Sequence, residues 1–208
     1  MSDQVHVLDH PLARVLVTQL RDQDTPSDRF RVAMQRLAAL LFMDASRHIQ
    51  TQSISVQTPI TSTQGDKLAR PVVLVPVLRA GLGLVDGILH LVPDAVVAHI
   101  GIARDEATAK PHSYYAKLPS LLSNADVFLL DPMLATGGSA IEAARQLKEA
   151  GTKSLRLVGV VACPQGIDAF CQAHPDVPLH TAAVDSHLND RSYIVPGLGD
   201  AGDRYFGT

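Results

Sequence analysis

From residue 71 onward, short and almost wholly apolar runs alternate with longer amphipathic ones. Residues 71–77, 95–102, 127–130, 155–162 and 179–184 are the apolar runs, and each is the length of a strand buried on both faces. Between most of them lie helical patterns at residues 82–91, 139–150 and 166–173, with Gly151 placed to cap the second. This rhythm predicts an α/β fold with a mainly parallel central sheet flanked by helices. Right-handed crossovers in such a sheet put ligand sites at the carboxyl ends of the strands.

The rest of the chain breaks the rhythm. Thr25-Pro26-Ser27-Asp28 is a helix-start signal, with Ser27 as the N-cap. Phe30, Met34, Leu37 and Leu41 then form one apolar stripe on a helix running to about His48, as a core or subunit-contact helix would. Residues 51–64 alternate weakly and predict a strand or hairpin. Residues 104–124 are polar, carry Pro111, His112, Tyr114, Tyr115 and Lys117, and are too long for an ordinary loop, which predicts an arm or flap. Residues 185–208 are rich in Gly, Asp and Pro and offer little core, so they read as a disordered tail or a ligand-contacting cap. The expected organisation is one domain over 1–208: a helical segment at 1–50, a core at 70–185 with the arm at 104–124, and a hood at 185–208.

Composition narrows the function. Of the 208 residues, 46% are hydrophobic, which excludes a disordered chain. Aromatics are only 4% with no Trp, which argues against a base-stacking groove for single strands. A net charge of −3 without a Lys/Arg cluster argues against a nucleic-acid partner. Cys163 and Cys171 do not make a disulfide scaffold. No signal-peptide core opens the chain and no apolar run approaches the ~20 residues of a membrane span, so a cytoplasmic location and no membrane partner are expected.

Four segments carry candidate chemistry. In the first, a buried strand ends at Asp131 and is followed by Pro132, Met133, Leu134, Ala135, Thr136, Gly137, Gly138 and Ser139 before a helix from about residue 140. Small residues let the backbone approach an anion, and the helix aims its unpaired N–H groups at the same spot. The hydroxyls of Thr136 and Ser139 add donors, and Asp131 is placed to hold a sugar attached to the phosphate. No Lys precedes Ser139, so this is not a Walker loop. An ordinary strand–turn–helix connection capped by Ser139 is the plainer alternative. The second segment is Leu78-Arg79-Ala80-Gly81-Leu82-Gly83 and the third Arg104-Asp105-Glu106, each directly after an apolar run. Arg at such a strand end suits a diphosphate, because its planar fork bonds two oxygens at once.

The fourth segment, 193–204, holds a literal G-x-G-x-x-G at Gly197, Gly199 and Gly202. With six residues left after Gly202, no helix is expected to follow, so the dinucleotide reading fails. A Gly-rich loop offering backbone groups to a small planar ligand fits better, with Ile194, Val195 and Pro196 packing on its face. Cys171 and His174 lack a second ligand pair, no G-x-S-x-G is present, and Asp185-Ser186-His187 are too close in sequence for a triad.

Together these segments resemble the uracil branch of the type I phosphoribosyltransferases. His10-Pro11-Leu12, Leu20-Arg21-Asp22, Leu78 to Gly83, Arg104-Asp105-Glu106, 131–139 and 193–204 all match that pattern, over nearly the whole chain. Other type I members usually carry two adjacent acids where this chain has Asp131 and Pro132. Val77, Ala103, Lys110 and His112 depart from the usual form outside the phosphate motif. The resemblance implies transfer of the phosphoribosyl group of 5-phosphoribosyl 1-diphosphate to uracil, giving UMP and diphosphate. It implies Mg²⁺ held mainly by substrate oxygens, with no protein metal site. It assigns 131–139 to the ribose 5-phosphate, Arg79 and Arg104 to the diphosphate, and Ile194, Gly199, Asp200 and Ala201 to uracil, with Asp200 also near the phosphoribosyl group. Arg79, Arg104 and Asp131 are the catalytic candidates. A homo-oligomer is implied, and GTP, which activates some members, is a candidate effector. A nucleotide-sensing RNA-binding regulator of the same fold and a transferase for another base are the competing readings.

Overall fold

In the computed structural model, which describes residues 4–104 and 111–208, a central sheet organises the chain. Its strands run in the order Val5–Val7, Leu179–Thr181, Ser154–Val158, Asp126–Leu130, Val72–Leu78, His99–Arg104 and Pro111–Lys117, with Val96–Val97 also pairing Val72–Leu78. Every pairing is parallel except the last, where Pro111–Lys117 runs antiparallel along His99–Arg104. The expected α/β class is what forms.

The two faces of the sheet bury different clusters because side chains alternate along a strand. Val72, Leu74, Phe128 and Leu130 point to one face. There they meet helices α1 (Pro11–Arg21), α2 (Ser27–Ala45) and α3 (Leu82–Leu89). Val73, Val75, Val77, Val127 and Leu129 point to the other, against α4 (Gly138–Glu149) and α5 (Pro164–Ala173). Helices on both faces explain why these strands read as continuous apolar runs.

Several expected boundaries are corrected. The α2 helix starts at Ser27 and ends at Ala45, and Pro26 is its N-cap rather than Ser27, because the Phe30 N–H already donates to the Pro26 carbonyl (2.9 Å). Runs 155–162 and 179–184 are each split. Their distal parts, Val161–Ala162 and Ala183–Val184, join Met133–Leu134 in a second, three-stranded parallel ladder. At the first break the Pro132 carbonyl accepts from both the Val160 and Val161 N–H groups (3.0 Å each), and at the second the Val160 carbonyl accepts from both the Ala182 and Ala183 N–H groups (3.1 Å each), so each strand steps out of the main sheet. The predicted hairpin forms as Thr51–Gln57 and Ser62–Leu68, polar and mostly exposed. In the arm, Pro111–Lys117 is an edge strand and Ser120–Asn124 a 3₁₀ turn, while residues 105–110 lie outside the described residues.

The hood departs most from expectation. It contributes Ile194, Leu198, Ala201 and Tyr205 to the core. A helix does follow the glycine motif: α6 spans Ala201–Phe206. It is six residues long and packs against α2, so the motif does not open a βαβ crossover helix of the central sheet, the context a dinucleotide fingerprint needs. Among the described residues, no helix is long and apolar enough to cross a membrane.

Phe128 joins the layers, fully buried, with Phe42 of α2 at 4.8 Å between ring centroids and the Arg156 guanidinium 5.5 Å from its ring. Phe128→Ala is expected to destabilise the fold by ~3–5 kcal/mol, read as a lower urea midpoint at unchanged m-value.

Candidate active site

The strands Val72–Leu78 and Asp126–Leu130 are neighbours, yet their chains leave in opposite directions. After Leu78 the chain enters α3 on one face, and after Leu130 it enters α4 on the other. The loops that follow the two strands therefore diverge and leave a crevice at the carboxyl edge. A cavity of about 280 Å³ occupies it. Arg79, Asp131, Met133, Leu134, Ala135, Thr136, Gly137, Gly138 and Ser139 line it, as the sequence led us to expect. Pro132 does not. It is buried beneath, holding the second ladder through its carbonyl.

The loop is shaped for an anion. Gly137 sits at φ +82°, a left-handed conformation that L side chains avoid, and it turns the chain directly into α4. The helix thus starts at Gly138, earlier than the sequence pattern suggested. No side chain caps this end, and the Ser139 capping alternative fails because Ser139 is already inside the helix. The first-turn N–H groups, which have no partner within a helix, lie where Gly137 to Ala140 line the cavity. Behind the loop, the buried Cys163 thiol donates to the Ala135 carbonyl (3.0 Å) and the Cys163 N–H to the Leu134 carbonyl (3.2 Å).

Arg79 stands at the rim. Its Nη2 donates to Asp203 of α6 (2.8 Å) and its guanidinium lies 5.8 Å from the Phe206 ring centroid. Both partners of this pair are about half exposed, so water screens it and the guanidinium can exchange Asp203 for an anionic ligand at little cost. Arg104 ends the strand His99–Arg104 opposite Pro111, and its side chain lies outside the described residues.

A second cavity, about 210 Å³, adjoins the first and shares Ala80, Met133, Ala135 and Ser192 with it. Ile194, Gly199, Asp200 and Ala201, the residues assigned to the base, all line it. Asp200 also caps α6, its carboxylate accepting from the Asp203 N–H (2.9 Å). Ser192, lining both cavities with φ +62°, is a site residue that the sequence reading passed over. The clue was the turn cluster Asn189-Asp190-Arg191-Ser192, where the Asn189 side chain accepts from Arg191 and Tyr193 N–H groups (3.0 Å each).

Burial pushes the Asp131 carboxyl up to about 6, opposed by a weak hydrogen bond from the Met133 N–H (3.4 Å). Between its ordinary value of 3.8 and about 6, the folded protein binds this proton while the unfolded chain has released it. Stability therefore falls as pH rises through that window. Asp131→Asn removes the effect. Its melting temperature relative to wild type is expected to climb from pH 4 to pH 6 and then level off, by differential scanning calorimetry.

Comparison with known proteins agrees with this geometry. The family model described as uracil phosphoribosyltransferase matches residues 7–208. A uracil phosphoribosyltransferase of Ligilactobacillus salivarius is 50% identical over 203 residues, covering 97% of each chain. One from Anoxybacillus flavithermus is 46% identical over 206 residues, covering 99% of each. The solved structure of an Aquifex aeolicus protein superposes with a TM-score of 0.93 at 36% identity over 98% of both chains. Adenine phosphoribosyltransferase of Trypanosoma brucei, at 16% identity and a TM-score of 0.59, covers 91% of this chain and 87% of its own and shares the fold alone. Likeness of this extent, along nearly the whole chain, places the protein in the uracil phosphoribosyltransferase family.

Proposed function

We propose that this protein transfers the 5-phosphoribosyl group from 5-phosphoribosyl 1-diphosphate to uracil, releasing UMP and diphosphate in pyrimidine salvage. Family membership supports the reaction class. The observation that carries the reading is the junction of the two cavities, one walled by an uncapped helix start and the other by a Gly-rich loop.

In this reading, residues 135–139 hold the 5-phosphate through backbone N–H groups and the hydroxyls of Thr136 and Ser139. Asp131, ionised at neutral pH, accepts from the ribose hydroxyls. Uracil lies in the smaller cavity against Ile194 and residues 199–201, and the shared wall brings it to the ribose. As the bond from ribose C1 to the diphosphate oxygen breaks, negative charge builds on the leaving group and the ribose becomes cation-like. Arg79, released from Asp203, meets the departing charge, and Arg104 is assigned the same duty. A new bond from C1 to the ring nitrogen of uracil replaces the broken one, and that nitrogen loses its proton. Sites built to bond a polar edge reject mismatched analogues by up to ~10⁴–10⁵, so cytosine, with a donor and acceptor exchanged, is refused.

Mg²⁺ belongs to the same proposal. Among the described residues no three His, Cys, Asp or Glu side chains converge on one point. The cavities do offer Asp131 and Asp200, which suits an ion that keeps most of its bonds to phosphate and ribose oxygens. When bound, the ion would offset charge on the diphosphate. The finer expectations of a homo-oligomer, a cytoplasmic location and activation by GTP go with the reading, and sedimentation, cell fractionation and assays with added GTP examine them in turn.

Conversion of radiolabelled uracil to UMP, with 5-phosphoribosyl 1-diphosphate and Mg²⁺, is the direct test. Wild type is expected to form UMP, Asp131→Ala to lose most of the activity, and Arg79→Ala to lose ~10²–10³ in kcat, as for removal of one oxyanion donor. No UMP from wild type, together with tight binding of a structured RNA at physiological salt, would favour the regulator instead.

A further inference from the structure

The base-binding loop is held from outside the cavities by charged side chains that the reaction does not use. Arg21 is the last residue of α1, far from the hood in sequence. Its Nη2 donates to Oδ1 of Asp185 (2.6 Å) and its Nη1 to Oδ2 (2.8 Å), a two-pronged pair. The same Nη1 donates to the Gly197 carbonyl (2.9 Å), and the Gly197 N–H donates back to Oδ2 of Asp185 (2.8 Å). One residue of the loop is thus gripped through the two peptide groups that flank it, at the donor of one and the acceptor of the next. The side chain of Asp185 is 5% exposed and that of Arg21 25%. Position 197 admits no side chain: φ is +60°, and a Cβ would lie 2.2 Å from the Ile194 carbonyl oxygen.

We infer that Arg21 and Asp185 are positioning residues for the base-binding loop, setting how tightly the site holds and selects a pyrimidine base although neither lines either of the two site cavities. The inference rests on the uracil-transfer reading above. Residues 199–201 begin two positions beyond Gly197, so a shift of that residue carries directly into the wall of the smaller cavity. The phosphate loop makes no hydrogen bond to the side chain of Arg21 or Asp185 among those described; it connects to the chain before Asp185 only through the backbone ladder of Met133–Leu134, Val161–Ala162 and Ala183–Val184, which a side-chain change leaves in place. Disturbing the pair should therefore affect the base subsite and spare the phosphate subsite. A pair serving only stability would weaken both together. Hydrophobic residues could hold a loop as firmly, but only directional bonds fix both position and tilt of the peptides flanking one residue.

The test measures binding of UMP and of ribose 5-phosphate to the full-length protein by calorimetry, for wild type, Asp185→Asn and Arg21→Lys. Asparagine replaces one accepting oxygen with a donor, and lysine cannot reach Asp185 and the Gly197 carbonyl with one rigid fork. UMP affinity is expected to fall at least ~10-fold, since displacements near 1 Å can cost ~10², while that for ribose 5-phosphate stays within about twofold. KM for uracil should rise likewise with KM for 5-phosphoribosyl 1-diphosphate unmoved. Equal weakening of both ligands, no weakening of either, or loss of fold in both variants would overturn the inference. If only Asp185→Asn fails to fold, Arg21→Lys decides. A wild-type protein that binds UMP no better than CMP would instead count against the uracil reading and is seen without any variant.

Discussion

Everything at the site depends on two parallel strands whose chains part company. Val72–Leu78 and Asp126–Leu130 share five registered residue pairs, and both are buried along nearly their whole length. Packing of this kind tolerates no loop between them, so the connections must leave at the carboxyl edge. Because α3 packs on one face and α4 on the other, the exits diverge. A crevice at that point is a consequence of winding, not of any residue placed to make it. Residues after each strand then face each other by necessity, which is why Arg79 and the loop from Asp131 to Ser139 share one cavity despite fifty residues of intervening chain.

The same edge explains the electrostatics. The strands end in a second ladder that Pro132 anchors, and this raises protein around Asp131 on the side away from the cavity. A carboxylate there loses solvation without gaining a cation, so its proton affinity rises. A bound sugar would supply the missing donors. The uncapped start of α4 has the same character: N–H groups without partners are tolerable only where water or an anion can reach them. Both features are unfavourable to the empty protein and favourable to the filled one, as expected where local rules yield to function.

How much of this was legible in the sequence follows from the range of the forces involved. The buried strands were readable because an apolar run needs no partner to be recognised. The strand–loop–helix arrangement after Leu130 was readable because strand, small residues and helix are contiguous. Edges failed wherever a distant group decided them. The single runs 155–162 and 179–184 could not disclose breaks made at carbonyls of neighbouring strands, Pro132 for the first and Val160 for the second. The first strand, Val5–Val7, exists only because it pairs with Leu179–Thr181 at the other end of the chain. Helix α6 was missed because its six residues carry no periodic signal, and the core positions Leu198 and Tyr205 were hidden among glycines and aspartates. Leu20-Arg21-Asp22 and Asp185-Ser186-His187 both drew attention in the sequence, but nothing local could show that the first triplet and the second meet.

That meeting bears on how a hood of this composition keeps its shape. A helix of six residues is far below the length at which helices persist alone in water, so α6 is ordered by what it touches. Tyr205 enters the core, and the Arg31 side chain donates to its carbonyl (2.9 Å). Arg204 lies over the Phe30 ring at 4.5 Å and donates to the carbonyls of Leu20, Asp22 and Leu198. The bond to Leu20 satisfies an acceptor left open in the last turn of α1, and the Asp22 carbonyl accepts from the Thr25 N–H (3.2 Å) as well. The N-terminal helices therefore do more than cover one face of the sheet. Their carbonyls, Phe30 and Arg31 are what the last helix sets against, so the wall of the smaller cavity that α6 carries is fixed in part by the N-terminal helices.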